Sequence, residues 1–313
     1  MKTKLFKKLL PILLSILIIG TSIPLQVFAS TDKATKINSQ TLFEASTLDT
    51  LELNIKTLPT ITVTGSEKYK INNASKTRPV YNDEVVNSNV IFDCGFDKKL
   101  DATITLNFSN CGTLNSKAID MKLIYSDIYS APKQNITGYD TKTFWWTAYG
   151  TPSQQTNTNE WFEVGFSRYN VDISFYYHNS NTPIKLENAY FTLYSEDASK
   201  DDSGNVIYSE ASSSANVASN VFLYEDTSIA YKSSVTHFKK NYKDVYYGTS
   251  SGSTNAKTKN AVSYQYKNRN SINLDMMMMY SHKTMGYHFN FVPLTACVPD
   301  EPIKTVSKKN SNR

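Results

Sequence analysis

Cysteine is scarce in this 313-residue chain: only Cys94, Cys111 and Cys297 are present. Three are too few for the disulfide framework that staples small secreted domains, and none stands in a CxxC or Cys/His grouping with zinc-site spacing. Cys94 and Cys111 flank the strand-like run Ala102 to Phe108, so either they link neighbouring strands and leave Cys297 single, or neither pairs. Histidine is equally sparse. His178, His237, His282 and His288 belong to no HExxH, nucleophile elbow or local Cys/His/Asp grouping, so no catalytic motif is visible and no metal or cofactor is expected. His288, between Tyr287 and Phe289, falls on the polar side of its strand with Asn290 and reads as a solvated side chain. No sustained 3.6-residue period occurs, which removes a helical protein.

Long apolar runs are missing too, with one exception at the start. Lys2, Lys4, Lys7 and Lys8 precede the apolar stretch Leu9 to Ile19, and Val27-Phe28-Ala29 places small residues where a signal peptidase reads. Residues 1–29 are therefore expected to be a signal peptide cleaved between Ala29 and Ser30. A retained anchor fits less well, because Pro11, Gly20, Ser22 and Pro24 interrupt the 18 or so apolar residues that a span needs. No transmembrane span is expected after cleavage. The charge balance changes with it. Between Ser30 and Ile303 there are 25 basic and 28 acidic residues, a net of −3, which draws no polyanion by long-range field, so nucleic acid is not an expected partner.

What the chain does have is tyrosine and phenylalanine, 21 and 15 respectively, against three tryptophans. Aromatic and β-branched enrichment favours pleated surfaces. Two-residue alternation is clear in Ala102 to Phe108, Ile119 to Tyr125, Val171 to Tyr177, Ala189 to Leu193 and Tyr287 to Phe291. Shorter runs at Trp161 to Phe166, Val221 to Tyr224, Ala261 to Tyr266 and Ile272 to Tyr280 fill the gaps. The expected class is all-β, an antiparallel β-sandwich in two sandwich-like parts, 89–195 and 196–298. Ahead of them, 30–88 reads as a Ser/Thr/Asn-rich extended segment with little core, and 299–313 as a linker-like basic tail. Asp197 to Asn220 and Gly248 to Asn260 read as surface loops.

Three features invite a functional reading beside a plainer one. Phe144-Trp145-Trp146, with Trp161 shortly after, gathers every tryptophan within 17 residues. Adjacent strand residues face opposite ways, so one of Trp145 and Trp146 belongs to a core while the other is a candidate platform for ligand binding, together with Trp161. Core packing of the whole cluster is the simpler account. The acidic run Glu196 to Asn205 has oxygen ligands for calcium, but Gly204 and Lys200 break the EF-hand pattern and a solvated hairpin tip is favoured. Met276 to Met279 is either an adaptable binding surface or a strand buried on both faces, and burial is commoner for methionine.

The run Gly112-Thr113-Leu114-Asn115-Ser116-Lys117-Ala118-Ile119-Asp120-Met121-Lys122 resembles the amino-terminal region of Gram-positive cell-surface adhesins of the pilin and isopeptide-domain type. Pro183-Ile184-Lys185-Leu186 leading into Ala189-Tyr190-Phe191-Thr192, the strand Gly286-Tyr287-His288-Phe289 and the linker-like Pro299 to Val306 extend the likeness over Asn89 to Val306. The resemblance implies a β-sandwich displayed on a cell wall or secreted, binding a host protein or glycan without catalysis, with intramolecular Lys–Asn linkage a property of the group. Ser116 stands where glycine is usual, two cysteines are present where the group mostly avoids them, and no LPxTG sorting signal appears. Two other readings stay beside the adhesin. A β-pore-forming toxin would use the small polar stretch Ser209 to Asn220 as a pre-stem, although Ser212-Ser213-Ser214 breaks the alternation of a lipid-facing strand. A carbohydrate-binding module, or an enzyme built on a carboxylate pair, is the other.

Overall fold

Alternation of apolar and polar residues produces sheet wherever it was strongest. The structure, a computed structural model, describes residues 33–37, 48–55, 57–78, 83–95, 97–130, 143–150, 159–164, 166–194, 196–214, 218–237, 239–250, 259–279 and 285–291. Among these residues it holds nineteen strands and no helix. The first seven are β1 (Thr35–Ile37), β2 (Leu51–Leu53), β3 (Thr60–Gly65), β4 (Tyr69–Arg78), β5 (Asp83–Phe92), β6 (Ala102–Leu114) and β7 (Lys117–Ser130). Then come β8 (Thr143–Gly150), β9 (Asn159–Val164), β10 (Phe166–Tyr177), β11 (Leu186–Tyr194), β12 (Ala198–Lys200) and β13 (Val206–Ser213). The last are β14 (Asn220–Tyr224), β15 (Ile229–His237), β16 (Lys240–Gly248), β17 (Val262–Arg269), β18 (Ile272–Met279) and β19 (Met285–Asn290).

They form two sheets. One runs β1-β14-β17-β11-β19-β9-β8-β5-β4, and the other runs β15-β16-β13-β18-β10-β7-β6-β2, with β12 beside β13 and β3 beside β6. All pairings are antiparallel except β1 with β14. Aromatic contacts join the sheets across the core: Phe92 to Phe166 at 5.9 Å, Phe175 to Phe291 at 5.3 Å and Tyr246 to Tyr264 at 6.1 Å between ring centroids. The β6–β7 turn explains part of the sequence signature. Asn115 and Ser116 have φ of 50° and 65°, the pair of positive values that a two-residue type I′ turn requires. The side chain of Asn115 accepts from Thr50 N and donates to Asp49, so the turn also anchors β2. At Gly112 a Cβ would lie 2.1 Å from the Glu52 carbonyl oxygen, and only glycine admits β2 that closely.

Several expectations are corrected. The division into 89–195 and 196–298 is crossed by both sheets: β10 pairs with β18, and β11 lies between β17 and β19. One core cluster takes residues from Ala34 to Phe291, so both halves share it. Segment 30–88, expected to be extended with little core, forms β1 to β4 and adds the buried Leu51, Leu53 and Ile55 to the core. Asp197 to Asn220 is no surface loop either. Its serines form β13, an interior strand between β16 and β18, with Ser209, Ser212, Ser213 and Ser214 buried. Small side chains there leave room for Tyr264 and Tyr266 of the facing sheet, whose hydroxyls lie 2.8 Å from Ser212 Oγ and Ser214 Oγ. That strand is also the stretch on which the pore reading relied. Gly248 to Asn260 lies mostly outside the described residues.

Cys94 and Cys111 are buried thiols, with no bridge between them. Cys94 follows β5 of one sheet and Cys111 lies in β6 of the other, so the premise of neighbouring strands fails. Cys297, the Ala29–Ser30 cleavage site and the tail 299–313 lie outside the described residues. The favoured burial of the methionine run agrees with β18: Met276 and Met278 enter the main core, while Met277 and Met279 pack on the other face with Ala211, Tyr242 and Val245. The acidic run ends in a hairpin tip, as its turn residues suggested. Asp201 accepts from Ser203 N and Asn205 N and holds the turn at Gly204, whose φ is +85°.

Candidate functional site

The outer face of the β16–β13–β18–β10–β7 region carries the densest set of charged and amide side chains described. Two breaks in alternation build it. Asp127 takes φ of 51° in β7, and the β10–β7 register shifts on both sides of Arg168. These irregularities release both residues from the strict in/out pattern and bring the Arg168 guanidinium against the Asp127 carboxylate. Lys240 Nζ reaches the same carboxylate at 2.9 Å, as does Lys99 Nζ. Lys240 also bonds Asp275 at 2.8 Å, and Arg168 donates to Tyr242 Oη at 3.0 Å while lying 5.4 Å from the Tyr129 ring centroid. Partial burial raises the Asp127 pKa, but the three cations outweigh it and hold the carboxyl at about 2.

Beside this cluster the register places Asn170 opposite Asp275 and Asp172 opposite Asn273. Asn170 Nδ2 donates to Asn273 Oδ1 and Asp275 Oδ1, both at 3.1 Å, and Asn273 Nδ2 returns a bond to Asn170 Oδ1 at 3.0 Å. The result is a half-buried ladder of amides and carboxylates on a rigid sheet. Such a surface holds amide donors and carboxylate acceptors in fixed positions.

A second polar locus lies between the sheets. Glu196 is fully buried, accepts a hydrogen bond from Ser212, and has no partner for Oε2. Burial pushes its carboxyl well above the usual range; Ser212 opposes this, while Glu210 and Asp197 add to it. Tyr264, which shares Ser212, is likewise raised by burial and by Glu196. At the far end of β10, His178 Nδ1 lies 2.8 Å from Asp120. No group of three or more His, Cys, Asp or Glu side chains among the described residues is arranged to hold a metal ion. Among the residues whose side chains are described, no lysine is buried, so the Lys–Asn linkage raised by the resemblance has no buried lysine to start from there.

The tryptophans occupy neighbouring strands. Trp145 and Trp146 of β8 stand opposite Asn89 and Ser88 of β5, and Trp161 of β9 stands opposite Thr147 and His288. Their side chains lie outside the described residues. The sequence reading missed Asp127, Arg168, Lys240 and Asp275. The available signal was an Asp and an Arg set within otherwise regular alternations of β7 and β10.

No protein-family model and no curated protein matches this chain. Solved structures do. The chain is similar in fold to the N-terminal domain of a streptococcal adhesin. The N-terminal domain of the Streptococcus gordonii adhesin Sgo0707 aligns over 79% of this chain and 64% of that one, at 14% identity and a TM-score of 0.50. The adhesin domain of PrgB from Enterococcus faecalis aligns over 79% of this chain and 92% of that one, at 10% identity and a TM-score of 0.39. The match thus spans less than two thirds of the Sgo0707 chain, and the likeness is one of fold.

Proposed function

We propose that this chain is an exported, non-catalytic adhesin-like module that binds a host or matrix ligand through the outer surface of its sandwich. The observation that carries the reading is the shared fold with the Sgo0707 adhesin domain. The Lys2 to Ala29 pattern supports export to the cell surface or medium, and the preorganised amide and carboxylate ladder supports binding. The test is a panel of immobilised matrix proteins and glycans exposed to the purified chain from Ser30 onward, with folding checked by cooperative unfolding. Saturable binding to at least one member is expected; a folded chain that binds none would overturn the reading.

A further inference from the structure

The net charge of −3 between Ser30 and Ile303 conceals a segregation. The β15–β16 hairpin, Ile229 to Gly248, holds Lys232, Lys239, Lys240 and Lys243 against Asp244 alone. Outside it, the same interval has 21 basic and 27 acidic residues, so a hairpin of +3 stands on a body of −6. The single carboxylate is already engaged. Asp244 accepts from Tyr231 Oη at 2.6 Å and pairs with Lys33 Nζ at 3.0 Å, which adds a fifth lysine to the patch. Lys239 and Lys243 are exposed. Lys240 is held by Asp127 and Asp275, which leaves Lys33, Lys232, Lys239 and Lys243 to carry the patch, and Lys232 lies 5.2 Å from the ring centroid of Tyr247, which limits the directions its ammonium group explores.

Position matters as much as charge. β15 is the terminal strand of its sheet, with Ser233, Ser234 and Thr236 exposed on it and Asn241 exposed on β16. Ammonium groups and neutral hydroxyl and amide donors therefore line one edge hairpin about 30 Å long. Tyr242 and Tyr246 are buried, Tyr231 is half-buried with its ring 5.4 Å from that of Tyr246, and the Lys232 ammonium lies over the half-buried Tyr247 ring, which restricts aromatic platforms for stacking bases. An extended polyanion whose charges are exocyclic groups fits this edge better than a base-bearing one.

We propose that the β15–β16 hairpin is a docking surface for a sulfated linear polysaccharide. The proposal deepens the adhesin reading by naming a ligand class, and it rests on that reading only for export. Lysines space the sulfates along the strand, and the hydroxyls and amide supply the shorter hydrogen bonds between them. The acidic body repels the same polymer, so binding is confined to the hairpin and falls with salt.

The test uses the chain from Ser30 onward and size-defined heparin oligosaccharides, with affinity measured at 50 and 300 mM NaCl. Saturable binding that weakens with salt is expected. The double variant Lys239→Gln/Lys243→Gln should lose about tenfold in affinity and show a shallower salt dependence. Lys68→Gln/Lys70→Gln makes the same charge change at exposed positions, one between β3 and β4 and one in β4, and should lose little. Equal unfolding midpoints for both variants exclude misfolding as the cause. No binding at 50 mM salt, equal losses in the two variants, or equally tight binding of single-stranded DNA would each overturn the proposal. A chain that ignores heparin but still binds another matrix ligand fails this inference and leaves the adhesin reading standing.

Discussion

On the outer face of the ten-stranded sheet, Asp127 is surrounded by Lys99, Arg168 and Lys240, whereas between the two sheets Glu196 has hydroxyls for company and Asp197 and Glu210 as its charged neighbours. Both carboxyls are withdrawn from bulk water, and their pKa values move in opposite directions. Burial alone raises a carboxyl, and burial beside cations lowers it. The first group is therefore a fixed anion that organises three strands. The second is an acid whose protonated form is favoured by burial, set as a hydrogen-bonding group in a seam of serine and tyrosine. A sheet with alternate faces offers both environments within a few residues of each other.

The largest effect expected from breaking this contrast is at Asp127. Arg168 has a side chain only 5% exposed and Nε without a hydrogen-bond partner, so removing Asp127 leaves a buried guanidinium with the Tyr242 hydroxyl as its acceptor. Asp127→Ala should destabilise the fold by about 3 kcal/mol, read as a fall in urea midpoint at pH 7. A loss below 1 kcal/mol would show that water reaches Arg168 and that the cluster is a surface feature.

Glu196 sharpens the comparison through pH. Its folded pKa is raised, so its contribution to stability is complete below the unfolded carboxyl value and declines as pH rises toward the folded one. Asp127 runs the other way: its contribution is present above about pH 4 and is lost as pH falls through about 2. Glu196→Gln keeps the shape and removes the ionisation. It should exceed the wild type in stability by on the order of 1 kcal/mol at pH 8, with little difference at pH 4. Unfolding curves of the two proteins that stay parallel from pH 4 to pH 8 would contradict a raised Glu196 pKa.

Neither environment was legible in the sequence, although most of the sheet was. Ala102 to Phe108, Ile119 to Tyr125, Val171 to Tyr177 and Ala189 to Leu193 fall within β6, β7, β10 and β11, because one local period sets both pleat and burial. The serines of β13 have the composition of a loop. They are buried because tyrosines some 50 positions later supply hydrogen-bond partners, which a local reading does not contain. The Asp127 cluster is hidden for the same reason: Arg168 and Lys240 lie 41 and 113 positions away. The cysteines show the reverse error. Sequence proximity suggested neighbouring strands, and the chain crossed between sheets within that interval. A sum over the chain cancels the charge of the β15–β16 hairpin against that of the body, so the segregation shows only once the hairpin's bounds are known.

The smallest expected effect tests whether exposure, rather than contact with Asp127, ranks its partners. Lys99 makes an ion pair of 2.9 Å, the same length as that of Lys240, but its side chain is 63% exposed against 33% for Lys240. Water screens the more exposed charge and gives its long side chain more freedom to lose on pairing, so equal geometry yields unequal energy. Lys99→Gln should therefore cost less than about 0.5 kcal/mol, and that small loss should vanish in 0.5 M NaCl. The loss from Asp127→Ala should largely persist under the same salt, because the buried guanidinium gains little from a mobile counterion. If Lys99→Gln cost more than 1 kcal/mol, or if salt erased both effects alike, the division between a buried, organising ion pair and its solvated neighbours would collapse. The outer cluster would then be one surface network with no privileged member.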